Sequence, residues 1–214
     1  MKKKMMEMKL NNEYDKTMIK DTKEYLNKIS LSKDDIWLDA GSHIGSFTLL
    51  IYDKVKKVIS IEASKQNFKL LSQNIKTYRT KNIKIFNQAI IENNDKIRDF
   101  YINQYKNKGL HSLLVKKGRK KEKVECVNIN KIIQKFKINK IKMDIEGMEY
   151  EILKSISDKN YNQISELIVE FHLKILSDNK GKKYKEITKL LKQKFKKVQY
   201  SKNLSWTQVI HCKK

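Results

Sequence analysis

A stretch near the beginning of the chain joins a short apolar run to a turn with two glycines and then to a second apolar run. Residues 35–47 read DIWLDAGSHIGSF, with Gly41 and Gly45 in the turn. This order is typical of a strand, a loop and a helix in an α/β protein. Ligands of such sheets bind beyond the carboxyl ends of the strands, where backbone can approach them closely. Asp39 stands at the predicted strand end, so the stretch predicts a ligand site.

The next apolar run, residues 58–61, ends in Glu62, about twenty residues after the glycines. An acid at this distance is placed to accept hydrogen bonds from both hydroxyls of an adenosine ribose; a strand-helix-strand unit with a chance acid is the simpler alternative. The chain lacks the GxGxxG spacing that seats a pyrophosphate and the GKS of a phosphate loop. The pattern therefore favours a cofactor with a ribose and no phosphate, S-adenosylmethionine, over NAD or ATP.

Strand and helix patterns continue to alternate after Glu62. Ser64 can cap a helix, and residues 83–87 alternate as a third strand. The end of a third strand in a nucleotide-binding sheet lies near the adenine, so Asn87 and Gln88 are candidates to bind its edge. A plain loop is the alternative.

Residues 97–127 read as strands and turns without a helix between them. Strand patterns cover residues 99–103, 111–115 and 123–127. Because a strictly alternating α/β chain would have a helix here, we expect a β insertion that lies over the ligand edge of the sheet. His111 and Ser112 are then candidate substrate or cofactor contacts, with a purely structural role as the alternative.

A second dense group of polar residues lies in residues 138–149, INKIKMDIEGME. Lys142, Asp144 and Glu146 alternate, so along an extended strand they point to one side. Gly147 breaks the strand before the next helix. The apolar surroundings favour a central parallel strand over a solvent-exposed edge with a polar face.

The whole chain, at 214 residues, fits one domain. We expect a helical lead-in over residues 1–30 and a single domain over residues 31–214, which ends in a helix and an antiparallel pair of strands. Apolar residues at helical or alternating spacing mark these elements, namely Met18, Ile19, Tyr25, Leu26 and Ile29 in the lead-in, Tyr184, Ile187, Leu190, Leu191 and Phe195 in the last helix, and residues 198–200 and 206–210 in the strands.

The chain is strongly basic, with 48 Lys and Arg against 24 Asp and Glu and a net charge of +24. Such a charge favours a polyanionic partner such as nucleic acid or an acidic membrane surface. An AT-rich coding sequence, indicated by abundant Lys, Asn and Ile and by the absence of proline, explains it equally well. Few aromatic residues interleave with the lysines, so no platform for stacking single-stranded bases stands out.

Cysteine content and hydropathy indicate the compartment. Cys126 and Cys212 are too few for a disulfide framework or a structural zinc site. No apolar run is long enough to span a membrane, and no signal-peptide core follows the basic amino terminus. We therefore expect a cytoplasmic protein, in the host cytoplasm if a virus encodes it.

Three motifs together resemble the FkbM-type family of S-adenosylmethionine-dependent methyltransferases. They are LDAGSHIGSF, ISIEASxxNFxxL and KMDIEGME, and the KxDxEGxE pattern of the third is the most specific. The similarity runs from about residue 35 to about residue 172 and includes GLHS at 109–112 and IVEFH at 168–172. The family usually has proline after the ribose acid, where this chain has Ala63.

The resemblance implies a Rossmann-like class I sheet of seven mostly parallel strands in the order 3-2-1-4-5-7-6, flanked by helices. The cofactor would lie across strands 1 and 2, and the acceptor over strands 4 and 5. Characterised relatives methylate hydroxyl oxygens on polyketide natural products and sugars. The residues implied at the cofactor are Asp39, Gly41, His43, Gly45, Ser46 and Phe47 near methionine and ribose, Glu62 and Ala63 at the ribose, Asn87 and Gln88 near adenine, and Asp144 near the sulfonium.

Methyl transfer to a hydroxyl requires an aligned acceptor and a group that removes its proton. Asp144 is the candidate base, Lys142 can orient the acceptor or stabilise an alkoxide, and His172 is a second possible base. The candidate substrate contacts are His111, Ser112, Glu146 and Glu170. Glu170 and His172 lie two apart in a strand and, with Asp144, could form a metal site; a divalent metal is possible but not expected.

The leading hypothesis is an O-methyltransferase that acts on a small hydroxylated substrate, a sugar or glycan unit. The first alternative is an RNA ribose 2'-O-methyltransferase, motivated by the charge of +24. The second is a non-catalytic binding module on the same fold, in which Asp144 and Glu146 are only structural. The oligomeric state is left open.

Overall fold

The computed structural model describes residues 8–10, 15–16, 22, 28–103, 111–173, 181–201 and 207–214. Its strands are β1 (Ile36–Ala40), β2 (Lys57–Ile61), β3 (Ile83–Phe86), β4 (Ala89–Ile91), β5 (Ile97–Ile102), β6 (Lys120–Asn128), β7 (Lys140–Met143), β8 (Glu166–Phe171), β9 (Lys197–Tyr200) and β10 (Gln208–Lys213). Its α-helices are α1 (Ser46–Ile51), α2 (Lys65–Thr77), α3 (Ile129–Phe136), α4 (Glu149–Ser155), α5 (Asp158–Gln163) and α6 (Lys182–Lys194), and a 3-10 helix covers Tyr52–Lys54.

Seven strands form the main sheet in the order β3-β2-β1-β7-β8-β10-β9. Numbered by their order along the chain within this sheet, they read 3-2-1-4-5-7-6, as predicted. Neighbouring strands from β3 to β8 are parallel, and β10 is antiparallel to both β8 and β9. The order of the sheet first reverses between β1 and β7, and the crevice beyond the carboxyl ends of these strands is where such sheets bind ligands.

The three central strands are buried nearly throughout. Leu38, Ile141, Leu167 and Val169 of these strands have no exposed surface and pack with helix side chains in one core cluster. Burying one side chain of this size stabilises the fold by about 1.5–3 kcal/mol. Trp37 and Ile168 pack in a second cluster around Phe47. The two lysines of β7 are buried as well, Lys140 at the amino end and Lys142 at the carboxyl end.

Local sequence signals set the helix boundaries where they were predicted. The Ser64 hydroxyl accepts a hydrogen bond from the backbone of Asn67 and caps α2. In α6, Ile187 and Leu191 face the core and Phe195 ends the helix, which confirms the predicted stripe. The final antiparallel pair is present as β9 and β10.

A second sheet of three strands, in the order β4-β6-β5, forms the predicted β insertion. Residues 97–102 of β5 pair antiparallel with residues 120–125 of β6, and residues 126–128 of β6 pair in parallel with β4. The prediction of a strand over residues 111–115 is wrong, because this segment forms only an isolated bridge, between Ser112 and Tyr101. The Ser112 hydroxyl accepts hydrogen bonds from the backbone of Leu114 and Val115, so the chain turns where the alternating pattern predicted a strand.

The predicted lead-in helix falls largely outside the described residues, as do Met18, Ile19, Tyr25 and Leu26, and the division at residue 30 stays a prediction. Asp15, Lys16 and Thr22 are helical. Ile29 packs against a core cluster around Phe47. Within the described ranges, none of the helices combines the length and the apolar character needed to cross a membrane.

Candidate active site

The glycine loop after β1 is held against the ends of its neighbours by backbone contacts. The amides of Gly41 and Ser42 both donate to the carbonyl oxygen of Ile61. Gly41 has φ +75°, and a Cβ built there would lie 1.7 Å from the carbonyl oxygen of Asp144. Only glycine therefore permits the close approach between the loop after β1 and the loop after β7.

The carboxylate of Glu62 is buried at the end of β2. It accepts hydrogen bonds from the amides of His43 (2.9 Å) and Ser64 (2.8 Å). Burial raises the pKa of Glu62 to about 7, although these hydrogen bonds oppose the shift. His43 adopts φ +52°, and burial lowers the pKa of its imidazole despite the nearby carboxylate of Asp15.

The side chain of Asn87 has a different position from the one predicted. Its amide donates to the carbonyl oxygens of Glu62 and Ala63, so it fixes the turn after β2. Asn87 lines a neighbouring groove, whereas Gln88 lines both that groove and the main pocket. Of the two predicted adenine contacts, the structure brings only Gln88 to the main pocket.

A buried ion pair lies beneath the glycine loop. Lys142 Nζ donates to the carbonyl oxygen of Gly41 (2.8 Å) and lies 3.4 Å from Asp39 Oδ1. Asp39 is fully buried and accepts from the Thr48 hydroxyl at 2.7 Å. Burial raises the pKa of Asp39; for Lys142 burial acts to lower the pKa, but Asp39 and Asp144 outweigh it and the pKa is raised.

The loop after β7 presents two carboxylates from a turn. Strand β7 ends at Met143, so Asp144 and Glu146 do not share an extended strand with Lys142, and the predicted alternation of the three side chains is wrong. Glu146 has φ +55° and Gly147 has φ +114°. The turn still holds Asp144 near Lys142, with Oδ2 3.7 Å from Nζ.

His172 lies just after β8 and faces these carboxylates. Its Nε2 is 3.4 Å from Glu146 Oε2 and 3.8 Å from Asp144 Oδ1. Burial acts to lower the pKa of His172, but the charges of Glu149, Glu146 and Asp144 outweigh it and raise the pKa to about 10. The pKa of Glu146 rises to about 8, chiefly through burial.

Glu149, for which the sequence predicted no role, also belongs to this cluster. It is fully buried at the start of α4, and its Oε1 lies 2.9 Å from His172 Nδ1. Its carboxylate also accepts from the amides of Ile145 and Gly147. One side chain therefore fixes both the imidazole and the acidic turn. The sequence feature that could have pointed to Glu149 is its position as the last residue of the KxDxEGxE motif.

The pocket between these loops contains about 620 Å³ of empty space, part of it open to solvent. Of the predicted site residues, it is lined by Gly41, His43, Glu62, Ala63, Gln88, His111, Asp144 and Glu146. Apolar wall residues that the sequence analysis missed are Ile61, Ala89, Ile90, Phe100, Leu113, Ile145 and Met148.

The other predicted site residues are described by the structure but do not line this pocket. Phe47 packs edge to face on Trp37, and Ser46 is buried beside it at the start of α1. A Cβ at Gly45 would lie 2.8 Å from Leu71. These residues, like Asp39 and Lys142, support the loop from below.

The insertion closes the pocket from the far side. His111 lines the pocket, and its Nδ1 accepts from the amide of Asn103 at 2.9 Å. Ser112 donates from its hydroxyl to the carbonyl oxygen of Glu146 at 2.6 Å, so it braces the acidic turn. Glu170 is half-buried on β8, and its charge acts on Lys142.

This arrangement of loops can be compared with known proteins. The sequence model described as Methyltransferase FkbM domain matches residues 39–200, well over half of the chain. The chain therefore belongs to the FkbM methyltransferase family. It is a methyltransferase, and the matched residues run from the end of β1 to the end of β9. No curated protein matches the chain significantly.

Solved structures share the fold of this FkbM protein. Methyltransferase FkbM from Methylobacillus flagellatus superimposes with a TM-score of 0.56 at 18% identity, over 87% of this chain and 45% of that one. An rRNA methylase from Streptococcus thermophilus gives 0.52 at 11% identity, over 89% and 92% of the two chains. A putative methyltransferase from Streptococcus mutans, solved with SAH, gives 0.52 at 13% identity, over 92% and 97%. At these identities the similarity shows a common fold.

Proposed function

We propose that this FkbM protein binds S-adenosylmethionine in the pocket and methylates a hydroxyl of a small acceptor, a sugar or glycan unit. The observation that carries the proposal is the composition of the pocket wall. Glu62, at the end of β2, and Asp144, after β7, both line the same pocket. A group that can bind a ribose and a group that can take a proton therefore lie in one space.

The cofactor side of the pocket fits an adenosine. Both oxygens of Glu62 are held in place by backbone amides, which leaves the carboxylate oriented to accept from ribose hydroxyls. The apolar side chains of Ala89 and Ile90 offer a surface for a planar base, and the Gln88 amide offers hydrogen bonds to its edge. Gly41 lines the same pocket.

The acceptor side is formed by Asp144, which retains 20% of its side-chain surface exposed. When bound, S-adenosylmethionine supplies an electrophilic methyl group on its sulfonium. Asp144 lines the pocket and is placed to accept the proton of an acceptor hydroxyl, which contributes about 10²–10⁴-fold in rate. His172 and Lys142 contact Asp144 and position it. His111, across the pocket, is a candidate contact for the acceptor.

The first test is calorimetric titration of S-adenosylmethionine and S-adenosylhomocysteine into the wild type and into Glu62→Ala. We expect binding to the wild type and its loss in the variant. The second test measures release of S-adenosylhomocysteine with a panel of sugars and glycans. Asp144→Asn should bind the cofactor normally and turn over about 10²–10⁴-fold more slowly. Wild-type protein that binds no cofactor would refute the proposal, and unchanged turnover in Asp144→Asn would refute the role of the base.

A second candidate acceptor is RNA, favoured by the basic segment at 116–123 that follows the pocket residue Leu113. Lys120, Lys121 and Lys123 of this segment are paired with Glu122 and Asp99, which reduces its free charge. RNA binding that weakens steeply between low and physiological salt, together with RNA methylation, would favour this candidate. No RNA binding at physiological salt would leave the small acceptor.

A non-catalytic binding module on the same fold is the remaining alternative. In that case Asp144 and Glu146 would act only in the structure of the turn. Two results together would favour it. The protein would bind the cofactor but turn over no sugar, glycan or RNA, and Asp144→Asn would leave a partner-binding activity unchanged.

A further inference from the structure

Three potential metal ligands converge on one point at the edge of the pocket. One ligand atom each from Asp144, Glu146 and His172 lies within 4.8 Å of the other two. The distances from His172 Nε2 are 3.4 Å to Glu146 Oε2 and 3.8 Å to Asp144 Oδ1. Two ligands bound to one cation at about 2.1 Å are about 3.0–3.4 Å apart in octahedral or tetrahedral geometry. Small side-chain movements therefore suffice to coordinate a cation.

The imidazole is oriented as a metal ligand would be. Glu149 Oε1 holds His172 Nδ1 at 2.9 Å, and the opposite nitrogen, Nε2, faces the two carboxylates. Histidine ligands usually bind a carboxylate or carbonyl through the nitrogen that does not bind the metal. Glu149 is fully buried and also fixes the turn that carries Glu146, so the ligand and the outer carboxylate belong to one rigid unit.

The carboxylate of Glu146 lacks a hydrogen bond that its burial requires. Its Oε2 is buried and has no hydrogen-bond partner among the described residues. A buried carboxylate oxygen without a hydrogen bond is costly, and coordination of a cation is one way to satisfy it. On Asp144, Lys142 lies near Oδ2 at 3.7 Å, which leaves Oδ1 on the side of His172.

We propose that Asp144, Glu146 and His172 bind one divalent cation of the Mn²⁺ type at the acceptor side of the pocket. Two carboxylate oxygens and one imidazole nitrogen suit a cation that accepts both kinds of ligand, and Mn²⁺ is bound by such sets. The site differs from the one predicted from sequence, because Glu146 takes the place of Glu170. Asp144 and Glu146 line the pocket, so the remaining coordination positions are open to a ligand in it.

The role of the cation in catalysis rests on the proposed function; its binding does not. A cation held by Asp144, Glu146 and His172 would act as a Lewis acid and lower the pKa of an acceptor hydroxyl bound to it. The hydroxyl would lose its proton to the carboxylate of Asp144 as its oxygen forms a bond to the methyl carbon. The bond from that carbon to the sulfonium sulfur would break, and S-adenosylhomocysteine would leave. Asp144 thereby keeps the role of base that the pocket geometry gives it.

The test is a titration of the chelator-treated full chain with Mn²⁺. Binding is measured as the loss of the electron paramagnetic resonance signal of the free ion. We expect one Mn²⁺ per wild-type chain and an affinity at least about tenfold lower in Glu146→Gln and His172→Gln. Glu62→Gln is the matched control, since it removes a carboxylate from the opposite side of the same pocket and should leave Mn²⁺ binding unchanged.

Cofactor titrations on the same four proteins separate the two proposals. Glu146→Gln should bind S-adenosylhomocysteine like the wild type, which also shows that it is folded, whereas Glu62→Gln should bind it more weakly. Absence of Mn²⁺ binding to a wild type that binds the cofactor would overturn the cation site alone. Equal Mn²⁺ affinity in Glu146→Gln, His172→Gln and the wild type would also overturn it, because the ion would then lie elsewhere.

Discussion

The carboxylate of Glu149 lies 2.9 Å from Nδ1 of His172, and both side chains are buried. The same carboxylate accepts from the amides of Ile145 and Gly147. The acidic turn after β7 and the histidine after β8 are thus joined through one residue of α4. Removal of that residue should affect two loops of the pocket at once.

Glu149→Ala should lower the free energy of unfolding by about 3–5 kcal/mol, because it leaves a buried imidazolium and two amides without their partner. Glu151→Ala in the same helix is the control. It removes a partly exposed pair with Lys183 and should cost less than about 1 kcal/mol. Urea denaturation of the two variants measures the difference. Similar midpoints would show that Glu149 does not hold the turn.

The contact between Gly41 and Asp144 predicts a second difference between matched variants. Gly41→Ala would place Cβ 1.7 Å from a carbonyl oxygen, whereas a Cβ at Gly181, with φ +68°, meets no atom within 4 Å. Gly181→Ala should cost about 1–2 kcal/mol from its left-handed backbone alone. Gly41→Ala adds overpacking of about 1–3 kcal/mol and should also abolish cofactor binding. Thermal denaturation and calorimetry check both parts; equal costs would contradict the contact.

Local sequence signals predicted the parts of the fold that local physics controls. Ser64 caps its helix, and Ile187 and Leu191 face the core at helical spacing, because capping and amphipathic periodicity depend on nearby residues. Glu62 also lies in the pocket, since a strand end fixes the direction of the residue that follows it.

Tertiary contacts determined what the sequence did not reveal. Asn87 binds the backbone of Glu62 and Ala63, a contact between two strand ends that strand spacing alone does not predict. Glu146 takes φ +55° in a turn whose amides are held by Glu149, so the alternation read as a strand was wrong. The Ser112 hydroxyl likewise turned an alternating segment away from strand geometry.

A buried ionic cluster at the amino ends of β7 and β8 predicts how the protein responds to acid. Burial acts to raise the pKa of Glu166, but hydrogen bonds from His211, Ser30 and Lys140 outweigh it and lower the pKa to about 2. A lowered pKa stabilises the fold above the ordinary value of 4.5, and this stability is lost as the pH falls from 4.5 towards about 2.

Glu166→Gln should therefore flatten the dependence of the unfolding free energy on pH in that window. Glu125→Gln, at an exposed position of β6, is the control and should keep the wild-type slope. Urea denaturation at a series of pH values measures both. A wild-type slope in Glu166→Gln would show that the cluster does not act through this carboxyl.

The pKa of Glu62, about 7 in the folded protein against 4.5 ordinarily, predicts opposite trends for stability and for cofactor binding. The folded protein holds this proton more tightly than the unfolded chain, so the contribution of Glu62 to the unfolding free energy falls as the pH rises from 4.5 to about 7. Ribose hydroxyls donate to the ionised carboxylate, so affinity for S-adenosylhomocysteine should instead rise with pH, by up to about tenfold per unit below pH 7.

Calorimetry from pH 5.5 to 8.5 measures the affinity of the wild type and of Glu62→Gln for S-adenosylhomocysteine. Protonation of the ligand affects both affinities equally, so it cancels in their ratio. The amide of the variant retains the shape of the side chain and cannot ionise, so its weaker binding should not share the rise. The ratio should increase up to about pH 7 and level off at higher pH, where ionisation of the carboxylate becomes complete. A ratio that stays constant across the range would mean that the cofactor does not bind through the charge of Glu62.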